Sequence, residues 1–247
     1  MAKEPIVTVR NLVKAFGSFR AVDNISFDVF PGEIFGFLGA NGAGKSTAIK
    51  MLIGLWRPSS GQATIAGFDI YRDTEKIKKS IGYMSQKFSL YTDLTIRENI
   101  RLFGGIYGLD RASIKRKTEE LLDQLQMQKY ATAMIHDLPL GWKQKLAFSV
   151  AMIHEPKIIF LDEPTGGVDP ITRRQFWELI YAAAAQGTTI FVTTHYMDEA
   201  EYCDRISMMV NGKIAGLGTP DELKTGFDSS DMDEVFIKIA REGEVMI

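Results

Sequence analysis

The sequence predicts an α/β fold: a sheet of buried strands carries a phosphate-binding loop, an antiparallel β-subdomain precedes it, and an all-helical lobe interrupts the sheet. Three observations predict it. First, Gly39-Ala40-Asn41-Gly42-Ala43-Gly44-Lys45-Ser46-Thr47 satisfies the pattern G-x-x-x-x-G-K-[ST]. It follows the apolar run Ile34–Leu38 and leads into a helical-looking stretch over 46–52. Second, from about Thr92 to Glu155 strand signals vanish and apolar residues recur at helical spacing. Third, strand-like runs resume at 157–161 and 188–193, separated by a helical pattern over 171–186.

Before the loop, residues 6–10 and 21–29 read as short antiparallel strands, and Pro31-Gly32 turns the chain into the strand that leads to Gly39. Residues 63–66 and Ile81–Met84 read as strands, the second returning to the central sheet. Thr95-Ile96-Arg97-Glu98 is a capping box that opens a helix over 96–107. The stretch 109–127 sets Ile114, Leu121, Leu122 and Leu125 among charges, as a surface helix does. A helix over 141–154 is ended by Pro156. Asn211-Gly212 joins Arg205–Val210 to a strand over 213–215 as a hairpin, and the chain ends in a helix over 232–241. The resulting organisation is one domain over 1–226. Its core and β-subdomain take 1–91 and 156–226, its helical subdomain takes 92–155, and 227–247 form a C-terminal tail.

A chain of 247 residues that is 45% apolar can bury a large core. A formal charge of −2 with no long run of one sign speaks against nucleic acid as a partner. Cys203 is the only cysteine, which excludes an intrachain disulfide and a cysteine metal cluster; it reads as a small, partly buried apolar residue. No run approaches the roughly 18 apolar residues that cross a bilayer, and Met1-Ala2-Lys3-Glu4-Pro5 has no apolar signal region. The expectation is a cytoplasmic protein, or a peripheral subunit of something larger, without direct membrane insertion.

The chemistry-bearing residues begin in the loop. Gly42 and Gly44 let successive N–H groups converge on one anion, and the following helix adds the positive end of its dipole. Lys45 would reach the β- and γ-phosphates of a nucleoside triphosphate, and the Ser46 hydroxyl would ligate Mg²⁺. Ile158-Ile159-Phe160-Leu161 then delivers Asp162 and Glu163 to a strand end, where α/β sheets place ligands. There Asp162 can hold Mg²⁺ through water, and Glu163 can polarise a water against the γ-phosphate.

With these residues in this order, the chain resembles the nucleotide-binding subunit of an ABC transporter over almost its whole length. The resemblance implies a RecA-like P-loop NTPase core, with ATP and Mg²⁺ as cofactors. Phe16, in Lys14-Ala15-Phe16-Gly17, falls where the family stacks an aromatic on adenine. Gln86 is similar to the Q-loop glutamine, which ligates Mg²⁺ and senses the membrane partner. Asp162 and Glu163 match the Walker B pair, Gly166-Gly167-Val168-Asp169-Pro170 matches the D-loop that places Asp169 at the nucleotide, and His195 matches the switch histidine at the γ-phosphate. The assignments make chemical sense. A divalent ion on a triphosphate takes a hydroxyl, an amide oxygen and a carboxylate, here Ser46, Gln86 and Asp162. Lys45 and His195 are donors for charge that develops on the transferred phosphoryl.

One segment departs from the family. Where most members have Leu-Ser-Gly-Gly, this chain has Leu138-Pro139-Leu140-Gly141-Trp142. Pro139 removes a hydroxyl and an N–H but suits the start of a helix, and the N–H groups of Leu140 and Gly141 remain to face an anion. It is either a degenerate signature or a working variant. The Leu-Pro-Leu-Gly form resembles a branch of drug-type exporters with separately encoded ABC-2 permeases, as do the stretches 84–91, 194–201 and 233–237. That branch implies a head-to-tail homodimer, or a heterodimer with a related subunit. It would be held at the inner face of the cell membrane by an ABC-2-type permease, with Phe88, Leu90 and Tyr91 as exposed grips. Two rival readings exist. A soluble ATPase acting on nucleic acid or ribosomes is disfavoured by the compact lobe between Gln86 and Leu138, which has no sustained heptads. A nucleotide-gated regulator with little turnover is motivated by Pro139.

Overall fold

A computed structural model describes residues 4–86 and 90–245, with side chains to Arg241. The chain runs β1 (Val7–Phe16), β2 (Phe19–Val29), β3 (Ile34–Leu38), α1 (Lys45–Leu52), β4 (Ser60–Ile65), β5 (Phe68–Asp69), α2 (Thr74–Ser80) and β6 (Ile81–Met84). The helices α3 (Ile96–Ile106), α4 (Arg111–Gln124) and α5 (Leu140–Ala151) follow. Then come β7 (Ile158–Asp162), α6 (Pro170–Ala185), β8 (Thr189–Thr194), β9 (Arg205–Val210), β10 (Lys213–Gly218), α7 (Pro220–Gly226) and α8 (Met232–Val245).

Two sheets result. One is antiparallel, in the order β2-β1-β4-β5; the other has the order β10-β9-β3-β8-β7-β6 and is parallel from β9 to β6. Every residue of β3, β7 and β8 is buried, which explains their continuous apolar runs: both faces of a parallel sheet are covered. Strand alternation still sorts the side chains. Phe35, Phe37, Phe160 and Phe191 face one core, which they share with Phe27 of β2. Ile159, Leu161, Ile190 and Val192 face a second core with Leu146 and Phe148 of α5 and Phe176 and Trp177 of α6. Phe191 is the hub of the first, with ring centroids 5.1 Å from Phe160, 5.3 Å from Phe37, 5.5 Å from Phe35 and 6.1 Å from Phe27. It therefore joins the antiparallel sheet to the parallel one.

The helices α3, α4 and α5 lie between β6 and β7, where the helical periodicity places a lobe. Thr95 and Glu98 form the capping box on α3, with Thr95 N donating to Glu98 Oε2 at 2.8 Å. Asn99 is fully buried on the same helix and ties down the loop before it, accepting from Tyr91 N at 2.8 Å and donating to Tyr91 O at 3.0 Å. Asn211 and Gly212 both take positive φ, as a two-residue hairpin turn requires.

Several elements differ from the sequence reading. β1 continues to Phe16 through repeated register shifts, which break the period-two alternation that marks a strand. The helix α2 buries only Ile77, too little to leave a periodic signal. The helix α7 does carry a signal, a Thr219/Glu222 capping box with Pro220 in its first turn. Leu90, expected to be exposed, is buried in the second core, whereas Tyr91 is exposed beside Phe103; Phe88 lies outside the described residues. α8 packs Met232, Val235 and Ile239 into the second core. Cys203 is buried there too, and burial pushes its thiol well above the usual range, which leaves it an inert core residue. Among the described residues no helix is long and apolar enough to cross a membrane.

Phe191→Ala removes the hub shared by both sheets. It is expected to cost about 3–5 kcal/mol in chemical denaturation, while Phe191→Leu costs less than half of that.

Candidate active site

The phosphate loop is shaped by what surrounds it. Gly44 caps α1 with φ 105°, and a Cβ there would lie 2.2 Å from Ala21 O of β2. Only glycine meets both demands. From the other side, Gly212 N of the β9–β10 turn donates to Ala43 O at 3.1 Å, and Gly212 O accepts from Asp23 N at 2.8 Å. Both sheets therefore hold the loop. Gly39, Ala40 and Lys45 close on one another: the almost fully buried Lys45 Nζ donates to Gly39 O at 2.7 Å and Ala40 O at 3.2 Å. Burial lowers the Lys45 pKa, while Glu163 and Asp162 oppose that shift.

The carboxylates arrive from β7, whose register pairs Asp162 with Thr193 of β8. Thr193 Oγ1 donates to Asp162 Oδ1 at 2.8 Å, and Ser46 Oγ donates to the same oxygen at 3.1 Å. The next residue, Glu163, takes φ 50°, a conformation that costs a non-glycine residue about 1–2 kcal/mol. Its N–H is secured by Thr193 O at 3.1 Å and Thr193 Oγ1 at 3.0 Å. This turn lifts the Glu163 side chain off the strand toward three donors. Lys45 Nζ lies 3.6 Å from Oε1, Gln86 Nε2 donates to Oε2 at 2.9 Å, and His195 Nδ1 sits 3.2 Å from Oε2 without hydrogen-bond alignment.

Beside these groups opens a cleft of about 540 Å³, lined by Phe16, Trp56, Asn41, Gly42, Ser46, Thr47 and Glu163. Phe16 is half exposed and meets Trp56 edge to face at 5.5 Å, while the Lys50 ammonium lies 4.7 Å from the Trp56 ring centre. Phe19 also lines the cleft. Trp56 and Phe19 escaped the sequence reading. Trp56 lies beyond the end of α1 and outside any motif, and only folding brings it to Phe16, whereas Phe19 opens β2 and pairs with Phe16 across the β1–β2 hairpin.

Leu140, Gly141 and Asp169 do not join this cleft within one chain. They line a separate hollow of about 300 Å³ with Pro139, Trp142 and Thr172. Asp169 caps α6, accepting from Ile171 N and Thr172 N at 3.0 Å and from Thr172 Oγ1 at 2.6 Å. The Thr172 hydroxyl, then the backbone N–H groups, hold its carboxyl below the usual range. Pro139 caps α5 with φ −58°. The N–H groups of Leu140 and Gly141 are in the first turn, where a helix supplies no acceptor. Gln144 Nε2 donates to Gly166 O at 3.2 Å and ties α5 to the loop after β7.

A phosphate loop, two carboxylates at the adjoining strand end and a glutamine and histidine closing on the second carboxylate define a nucleoside triphosphatase. The model of the family described as "ABC transporter" matches residues 22–166, and the chain belongs to that family. A "probable multidrug ABC transporter ATP-binding protein" of Escherichia coli is 46% identical over 97% of this chain. A Nod factor export ATP-binding protein of Ralstonia nicotianae is 36% identical over 94%, and the linearmycin resistance ATP-binding protein of Bacillus subtilis is 37% identical over 88%. The chain spans 42% of the length of the first of these, 73% of the second and 70% of the third. Among solved structures, the ATP-binding subunit of an ABC transporter superposes with a TM-score of 0.85 at 30% identity, covering 95% of this chain and 99% of its own. An ATP-binding cassette solved as a dimer with ADP and Pi superposes with a TM-score of 0.77 at 25% identity, covering 86% of this chain and 98% of its own. The fold is thus that of an ATP-binding, ATP-hydrolysing cassette.

A Cβ on Gly141 would lie 2.4 Å from Thr172 Cγ2. Gly141→Ala is expected to cost about 1–3 kcal/mol in thermal or chemical unfolding. Thr172→Ser, which deletes that methyl but keeps the bond to Asp169, should recover most of the loss in the double variant.

Proposed function

We propose that the chain is the motor of an exporter: two copies, or one copy and a related chain, enclose two ATP molecules head to tail and drive a separately encoded ABC-2-type permease at the inner face of the cell membrane. The observation that carries this reading is the convergence of Lys45, Gln86 and His195 on the Glu163 carboxylate, beside Ser46 and Asp162. The export and multidrug names of the relatives support the direction of transport.

In this reading the N–H groups of the loop Gly39, Ala40, Asn41, Gly42, Ala43, Gly44, with those of Lys45, Ser46 and Thr47, cradle the phosphates at the start of α1. Lys45 exchanges its carbonyl partners for β- and γ-phosphate oxygens, and Phe16 stacks on the base with Trp56 beside it. Glu163 orients a water and takes up its proton. His195 moves from Glu163 to the γ-phosphate and offers its ring N–H to the charge that develops there. The Ser46 hydroxyl and Asp162 carboxylate, already 3.1 Å apart, and the Gln86 amide are the oxygen donors Mg²⁺ prefers, and these residues would hold it. When bound, that ion neutralises phosphate charge.

Leu140 and Gly141 serve the ATP held by the other chain, with the Asp169 turn alongside. Two features support Pro139 as a working variant. It starts α5 in good geometry, and it leaves the first-turn N–H groups of an exposed Leu140 without an acceptor. Tyr91 is exposed, as are Leu102 and Ile106 on α3, and they form the surface proposed for the permease.

Glu163→Gln is expected to retain ATP binding but to lose at least about 100-fold in phosphate release, and to gather with ATP as a dimer in light scattering. A turnover equal to that of the unmodified chain would overturn the mechanism. Converting Pro139→Ser and Leu140→Gly together should change turnover less than about threefold; a larger gain would mean the signature is degenerate.

A further inference from the structure

One buried carboxylate has no part in the chemistry above. Glu199 is fully buried in the short helical turn Met197–Tyr202 that follows His195. Its Oε1 accepts from Thr165 Oγ1 at 2.6 Å and lies 3.6 Å from Arg173 Nε, while its Oε2 has no hydrogen-bond partner. Each neighbour leads to a different part of the site. Thr165, itself 1% exposed, stands two residues beyond Glu163. Arg173 is in the first turn of α6, and its N–H donates to Asp169 O at 2.9 Å. The Arg173 guanidinium also lies 4.1 Å from the centre of the Tyr196 ring and 3.3 Å from Asp198 Oδ2. Tyr196 in turn packs on the ring of His195, with the centroids 4.2 Å apart and the planes tilted by 34°.

A buried, incompletely satisfied carboxylate is poor economy for stability alone, since apolar residues of similar volume hold a core as well or better. What Glu199 does achieve is geometric. It binds the segment after Glu163, the start of α6 and the turn after His195 into one unit, and the guanidinium it holds is packed on the ring against which His195 rests. We infer that Glu199 is a positioning residue for hydrolysis: acting through Thr165, Arg173 and Tyr196, it sets the imidazole of His195 relative to Glu163 and keeps the Asp169 turn in register with both. The inference rests on the proposed roles of Glu163 and His195. Its consequence is that the His195 turn and the Asp169 turn move together, so a change at the face carrying Asp169 reaches the imidazole without passing through the phosphate loop.

The test is a double-mutant cycle on the full chain, with phosphate release measured in single and multiple turnover. Glu199→Gln keeps the shape and the acceptor for Thr165 but removes the charge that holds Arg173. It is expected to lower kcat at least about fivefold, with KM for ATP changed less than about twofold. In a His195→Ala background the same substitution should change kcat by less than about twofold, because the group it positions is gone. A fall by the same factor in both backgrounds, or no fall in either, overturns the proposal; a merely structural role gives the former. Should Glu199→Gln lack a cooperative melt, Thr165→Val goes through the same cycle with the same criteria. Glu163→Gln runs beside them as a control. If it leaves turnover intact, the hydrolytic reading fails and this inference falls with it; if it removes turnover while the cycle is additive, only the positioning role fails.

Discussion

The pairing of Asp162 with Thr193 at the ends of β7 and β8 is the constraint on which the site depends. One hydroxyl serves two residues: Thr193 Oγ1 donates to Asp162 and accepts from the N–H of Glu163. The first contact turns the Asp162 carboxylate toward Ser46. The second secures Glu163 in a left-handed conformation that would otherwise be unfavourable. A slip of one residue in this register would send both side chains to the wrong face of the sheet. Such a slip is prevented elsewhere, by cores on both faces in which Phe160 and Phe191 interlock on one side and Leu161 and Val192 are packed on the other.

The same logic explains why the phosphate loop needs both sheets. Its conformation is set where Gly44 meets the carbonyl of Ala21 and where Gly212 meets the carbonyl of Ala43. The antiparallel sheet and the last hairpin therefore act on the loop through backbone contacts, at positions where a side chain would collide. Phe27 carries the same connection into the core, since it packs on Phe35, Phe37 and Phe191 of the parallel sheet. At its working end the helical lobe meets the loop after β7 and the start of α6 through the Gln144–Gly166 bond, the Lys145–Gln175 bond and the close fit of Gly141 on Thr172. A hollow of about 310 Å³ bordered by Gln86, Leu140, Gln144 and Glu163 lies between α5 and the Glu163 turn.

The sequence by itself determined the phosphate loop, the β7 carboxylates and the succession of the longer strands and helices around them, because these depend on local patterns. A glycine spacing, an apolar run ending in two acids and a helical period are all legible within about ten residues of chain. The structure brings Gln86 and His195, which the family resemblance singled out, to the Glu163 carboxylate. Where the local pattern is interrupted the sequence says less: bulges hide the second half of β1, α2 has too few apolar residues to show a period, and nothing local marks Leu90 as a core residue. Only the tertiary structure decided which side chains meet. Trp56 comes to Phe16, Thr172 to Gly141 and Arg173 to Glu199 from segments that share no motif. It also decided that Leu140, Gly141 and Asp169 stand apart from Lys45 in one chain. The physical reason is the same throughout. A local pattern specifies what a segment becomes, whereas a contact between segments distant in sequence depends on strand register and packing that no single segment contains.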